Sequence, residues 1–250
     1  MMRGFQIFLF LLAVLGQAPT SWGASACRFA SEPTVIEKAP ALLLQSWEWE
    51  GDDLNLSSLP ESEVFANYRK AVSDTVSTDS RFLLRRYYRQ GPRMDDAYNL
   101  VIAATADARQ TRPISCVEAL LLDFQIRRTP RMLTHPTEFL AFFLQRAGRH
   151  KIYYMTSDSE GVRGLGKIES LISADVREGW DLVGNLHNHS FFLDDLDKTQ
   201  PQGVLAPSAS DIGAFRAFHD RQRLKSASIT NGFETIHIPA PEFDLYRAAP

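Results

Sequence analysis

Residues 179–192 read GWDLVGNLHNHSFF, and this stretch decides how the chain folds and where its chemistry sits. Residues 181–189 read as a β-strand. Before them Ile168, Leu171, Ile172 and Val176 recur at helical spacing, and Gly179 closes that helix as a cap. After them, residues 208–224 read as a helix with Ile212, Phe215 and Phe218 inward. Helix, strand and helix in succession put the chain in the mixed α/β class.

Working outward, residues 226–230 and 235–238 read as a hairpin around Asn231-Gly232. Upstream, residues 139–144 and 151–155 read as strands, although the first also suits a helix. The apolar run CVEALLLDFQI, residues 116–126, reads as a buried strand with Glu118 near its start. Residues 111–115 read as a loop. Asp95 and Asp96 open a helix carrying Ala97, Leu100, Val101, Ala104 and Ala108. Residues 79–90 place Leu83, Leu84, Tyr87 and Tyr88 on one stripe and Arg81, Arg85, Arg86 and Arg89 on the other, the pattern of a solvated helix face. Ser58 to Glu61 reads as a capping box for a helix reaching Val72. Residues 27–57 read as irregular, with Trp47 and Trp49 placed to clamp onto the main body. The organisation expected is a leader at 1–26, a partly helical extension at 27–94 and a main domain at 95–250.

The chain has 250 residues, 44% hydrophobic and 23% charged, with 27 Lys and Arg against 30 Asp and Glu. That is globular composition with no basic excess to bind nucleic acid. Arg3, the apolar run at 7–15 and Ala24-Ser25-Ala26 have the layout of a secretory signal peptide. The expected destination is therefore periplasmic or secreted. Cleavage after Ala26 would leave Cys27 first. Cys27 then has two readings: lipidation, which would tether the chain to a membrane, or a disulfide to Cys116 in an oxidising compartment.

Alternate side chains of a strand share a face, so His187 and His189 point the same way. Downstream, Ser208-x-x-Asp211 opens a helix. Ser208 is its N-cap, and Asp211 stands in the first turn, a fixed place from which to reach a metal. Two neutral imidazoles and one carboxylate suit zinc, with the fourth position left to water. His135, His150, His219 and His237 have no such partner spacing.

HxH, a spacer and SxxD, with a Glu on an earlier strand, resemble the JAMM (MPN+) metallopeptidases over residues of about 95–250. The resemblance implies a JAB/MPN-like mixed β-sheet flanked by helices. It implies one Zn²⁺ held by His187, His189 and Asp211, and a general base at Glu118, with Glu138 and Glu169 as rivals. Ser208 would donate a hydrogen bond to the oxyanion, and the substrate would be a protein or peptide. The chain departs from the family in having Asn188 between the histidines, Ser190 after them and a longer spacer at 190–207. That insertion reads as a mobile flap carrying Asp194, Asp195 and Asp197, each an alternative ligand.

The leading expectation is a secreted zinc peptidase or isopeptidase. Its rivals are a zinc hydrolase acting on another amide and a non-catalytic MPN-like binding module. A zinc deaminase is disfavoured, because no CxxC follows an HxE.

Overall fold

The computed structural model describes residues 29, 31–51, 62–90, 97–158, 165–194 and 203–246. The expected leader, the Ser58 capping box and residues 195–202 of the insertion lie outside them. The described residues build one eight-stranded mixed sheet with helices on both faces. In chain order the elements are β1 (Thr34–Ala39), β2 (Leu42–Glu50), α1 (Glu63–Thr75), α2 (Ser80–Gln90), α3 (Ala97–Asp107), β3 (Thr111–Pro113) and α4 (Cys116–Arg128). Then come β4 (Phe139–Arg146), β5 (Arg149–Ser157), α5 (Leu165–Arg177), β6 (Asp181–Asn188), α6 (Ala209–Gln222), β7 (Ser226–Thr230), β8 (Glu234–Pro239) and a 3₁₀ turn, Ala240–Tyr246. The strand order is β1-β2-β5-β4-β6-β7-β8-β3, antiparallel throughout except for the parallel pair β6–β7.

Three expectations are corrected. The run at 116–126 is the helix α4, not a strand. Ser115 caps it, and Glu118 returns the bond to the Ser115 N–H, so both halves of a capping box are present. An apolar run of this length is ambiguous by period alone, and the Ser115-x-x-Glu118 start signal resolves it. Residues 34–50, expected to be irregular, form two strands, and β2 pairs with β5 along its whole length. Two strands of the expected extension therefore belong to the same sheet as the site. Finally, the expected loop after Gln110 holds the short edge strand β3, paired to β8.

Paired residues present their side chains on one face of a sheet, which sorts this core. His187 pairs with Leu140 and Ile229, and Ile229 with Ile236. That face is covered by α5, α6 and the 3₁₀ turn. Phe142 meets Phe218 at 4.6 Å, and Phe215 meets Phe243 at 5.6 Å. The opposite face carries Trp47, Ile152, Tyr154, Leu186, Ser228 and Thr235 by the same registers. There α4 lies across the sheet: Trp47, 3% exposed, stacks on Phe124 at 5.7 Å, and Tyr154 donates to the Leu121 carbonyl. The expected clamp by Trp47 is this stack.

The β7–β8 hairpin turns at Asn231-Gly232 as the sequence indicates. Asn231 Oδ1 accepts from Phe233 N and Glu234 N, and Gly232 has φ +91°. A Cβ on Gly232 would stand 2.8 Å from Leu122 and 2.9 Å from Tyr68, so only glycine lets the turn approach α4 and α1 so closely. Gly179 ends α5 at φ +93°, as expected of a cap. Cys116 is disulfide-bonded, and Cys27 is the chain's only other cysteine. No described helix is long and apolar enough to cross a membrane.

Candidate metal site

β6 ends in the interior, and its end and the residue after it put His187 (4% exposed) and His189 (8% exposed) beside the start of α6, the His189 N–H donating to the Thr230 carbonyl. The capping box of α6 fixes the third group. Ser208 Oγ accepts the Asp211 N–H at 3.2 Å, and the Asp211 carboxylate accepts the Ser208 N–H at 2.7 Å. That leaves the carboxylate facing the two rings. His187 Nε2 stands 3.2 Å from His189 Nε2 and 3.7 Å from Asp211 Oδ1, and His189 Nε2 stands 3.5 Å from Asp211 Oδ2. Ligand atoms about 2.1 Å from a tetrahedral ion stand about 3.4 Å apart, so the three separations fit one ion. The donor chemistry fits as well, and this buried group could hold a metal ion.

The tautomer of His189 is set from outside the cluster. Its Nδ1 lies 2.7 Å from the Val204 carbonyl, which can only accept, so Nδ1 carries the proton and Nε2 keeps its lone pair for the cluster. Burial disfavours a charged His189, but Asp211, Glu138 and the Val204 carbonyl outweigh it and raise its pKa. Burial likewise opposes the Asp211 carboxylate, and the two histidines more than offset that, holding Asp211 well below the usual carboxylate range.

Val204 belongs to the segment expected to be a flap. Its described ends are core instead. Phe191 is fully buried and meets Phe233 edge-on at 5.8 Å, and Val204, Leu205 and Ala206 are buried. Gly203 N donates to the Ser190 carbonyl, and Asn231 donates to the Gly203 carbonyl. Gly203 has φ +68°, and a Cβ there would stand 2.5 Å from the Phe191 ring. Asp194 is not part of the cluster, and Asp195 and Asp197 lie outside the described residues.

The expected general base is not brought to the cluster. Glu118 bonds both guanidinium nitrogens of Arg112, the Ser115 N–H and the Thr235 hydroxyl. Thr235 is on the α4 face of the sheet, so Glu118 and His187 lie on opposite sides of it. There Glu118 borders a groove of about 340 Å³ with Arg112, Phe143, Ser226 and Ser228. Burial would raise its pKa, but Arg112 and the other donors lower it. Glu169 is tied to Arg221 and Gln222.

Glu138 is the acid the fold brings near. It stands just before β4, two residues from Leu140, which pairs with His187, and its charge is felt at His189. Ser210, missed in the sequence, adds a hydroxyl 2.7 Å from Ser208 Oγ. Three other histidines are held elsewhere. His219 Nδ1 meets the Leu224 carbonyl, His150 stacks on Trp49 and His237 meets Ser228.

Fold and cluster together define a mixed α/β protein with a buried two-histidine, one-aspartate site. Set against family models, curated proteins and solved structures, the chain matches none.

Proposed function

We propose that the chain is a zinc-dependent hydrolase of peptide or isopeptide bonds, of the JAMM-like kind its motif resembles, working outside the cytoplasm. The observation that carries this reading is the convergence of His187, His189 and Asp211 at separations of 3.2–3.7 Å, with the charge of Glu138 felt at His189. His187, His189 and Asp211 would hold the ion, and a set of three protein donors is that of a catalytic rather than a closed structural zinc site.

The ion's contribution, when bound, is Lewis acidity, bringing the pKa of a nearby water to about 7 and polarising the scissile carbonyl. Glu138 takes the proton of the attacking water and returns it to the departing amine. It replaces Glu118 in this role because Glu118 is on the far face, saturated by Arg112, Ser115 and Thr235. Ser208 Oγ accepts the Asp211 N–H, which leaves its own proton to donate. The Ser210 hydroxyl lies 2.7 Å from Ser208 Oγ, and during reaction the Ser208 proton goes to the developing oxyanion. The Val204 carbonyl keeps His189 in one tautomer throughout.

Elemental analysis of the purified protein, beside a His187→Ala, His189→Ala double variant, tests the metal. One zinc per chain is expected, falling to background in the variant, and equal zinc in both would overturn the assignment. Cleavage of a peptide library, compared with small amides, tests the reaction. Glu138→Gln should retain zinc and lose turnover.

A further inference from the structure

The side chain between the two histidines faces away from the cluster and is fully buried. Asn188 Oδ1 accepts the Phe139 N–H at 2.7 Å, and its Nδ2 donates to the Thr137 carbonyl at 3.1 Å and to Ser190 Oγ at 2.9 Å. Ser190 Oγ in turn donates to the same Thr137 carbonyl at 2.7 Å. Thr137 and Phe139 are the two neighbours of Glu138. The β4–β6 ladder ends at the pair of Leu140 with His187, and beyond it a carboxamide takes the place of a peptide group. From the other side, the Ser157 N–H donates to the carbonyl of Glu138 itself, at 3.2 Å. Glu138 thus has the backbone on both of its sides tied down, and its own carbonyl as well.

We propose that Asn188, seconded by Ser190, is a positioning residue that holds Glu138 against the metal site. The inference rests on the proposed role of Glu138. One short stretch then serves both components of the site: its odd residues, 187 and 189, supply donors, and its even residues, 188 and 190, fix the acid that precedes the adjoining strand. An exposed surface acid needs no such bracket. A proton carrier does, because it must stay within hydrogen-bond reach of the water through the reaction.

The full chain loaded with Co²⁺ provides a readout that does not depend on turnover. The pH midpoint of its visible absorption change reports ionisation at the metal site. Glu138→Gln should move that midpoint by about one pH unit, as removal of a nearby charge does. Asn188→Ala should move it in the same direction, leave Co²⁺ affinity within about threefold, and add nothing in a Glu138→Gln background. Ser190→Ala, a milder change, should act the same way with a smaller shift, and it serves if Asn188→Ala fails to fold. A shift from Asn188→Ala that persists undiminished in Glu138→Gln overturns the proposal alone, as does an Asn188→Ala chain that folds with an unmoved midpoint. A loss of Co²⁺ affinity above about tenfold in both backgrounds also overturns it, since Asn188 would then be holding the histidines. An unmoved midpoint in Glu138→Gln overturns the proposal together with the assignment of Glu138.

Discussion

The two capping boxes of this protein are nearly the same in sequence and opposite in use. Ser115-Cys116-Val117-Glu118 opens α4, and Ser208-Ala209-Ser210-Asp211 opens α6. In each, the serine hydroxyl accepts the N3 backbone N–H and the N3 acid accepts the serine N–H. Glu118 then meets Arg112 and Thr235 and becomes a tie between α4 and the strands β3 and β8. Asp211 instead meets two imidazoles. The motif fixes where an acid stands on its helix. The sheet face the helix covers decides whether that acid finds a guanidinium or a pair of ligands.

The largest difference expected is in metal binding. Asp211→Asn preserves an acceptor for the Ser208 N–H but removes the anionic donor, and should weaken zinc by about 100-fold or more, the upper end of what outer-shell changes cost. Glu118→Gln should leave zinc affinity unchanged in the same titration. Equal losses in the two variants would erase the distinction between the boxes.

Stability should show the reverse order. Glu118→Ala leaves Arg112 and Thr235 without their acceptor and should cost about 3 kcal/mol in denaturant unfolding. The pH dependence follows from the lowered pKa of Glu118. A carboxylate with a folded pKa below its unfolded value stabilises fully above the unfolded value of about 4.3 and loses that share as pH falls through the folded one. The wild-type chain should therefore weaken as pH falls below about 5 by a share that Glu118→Gln lacks.

The sequence made α6 legible because Ser208 and Asp211 precede a clear apolar stripe, and made β6 legible by its flanking helix cap at Gly179. Asn231-Gly232 announced the hairpin for a local reason too. The same start signal at Ser115 was masked by Ala119 to Leu122, an unbroken apolar run that suits a buried strand equally well. Strands β1 and β2 gave little warning, since Glu37, Lys38, Glu48 and Glu50 interrupt their apolar positions. The nearness of Glu138 to His189 depends on the β4–β6 register across some fifty residues, and no local pattern encodes that. Val204 was unreadable for another reason: its contribution is a backbone carbonyl, which any residue supplies.

A smaller effect tests how far the α6 box depends on its support. Gly203→Ala meets both a left-handed φ and the Phe191 ring, and should cost about 2 kcal/mol in a thermal melt. It should also weaken zinc about tenfold by displacing the Val204 carbonyl from His189. The smallest contrast compares the caps themselves. Ser115→Ala and Ser208→Ala should each cost about 1 kcal/mol of stability, and only Ser208→Ala should also slow hydrolysis.

The hydrogen bond from Gly203 N to the Ser190 carbonyl brings the two ends of the inserted segment together and fastens them to Phe191 and Asn231. Closing a loop whose ends already meet costs little more as it lengthens, about 0.6 kcal/mol per doubling. What the pinned ends insulate is the imidazole: the grip of Val204 on His189 rests on Ser190, Phe191, Gly203 and Asn231 and not on how many residues separate 194 from 203.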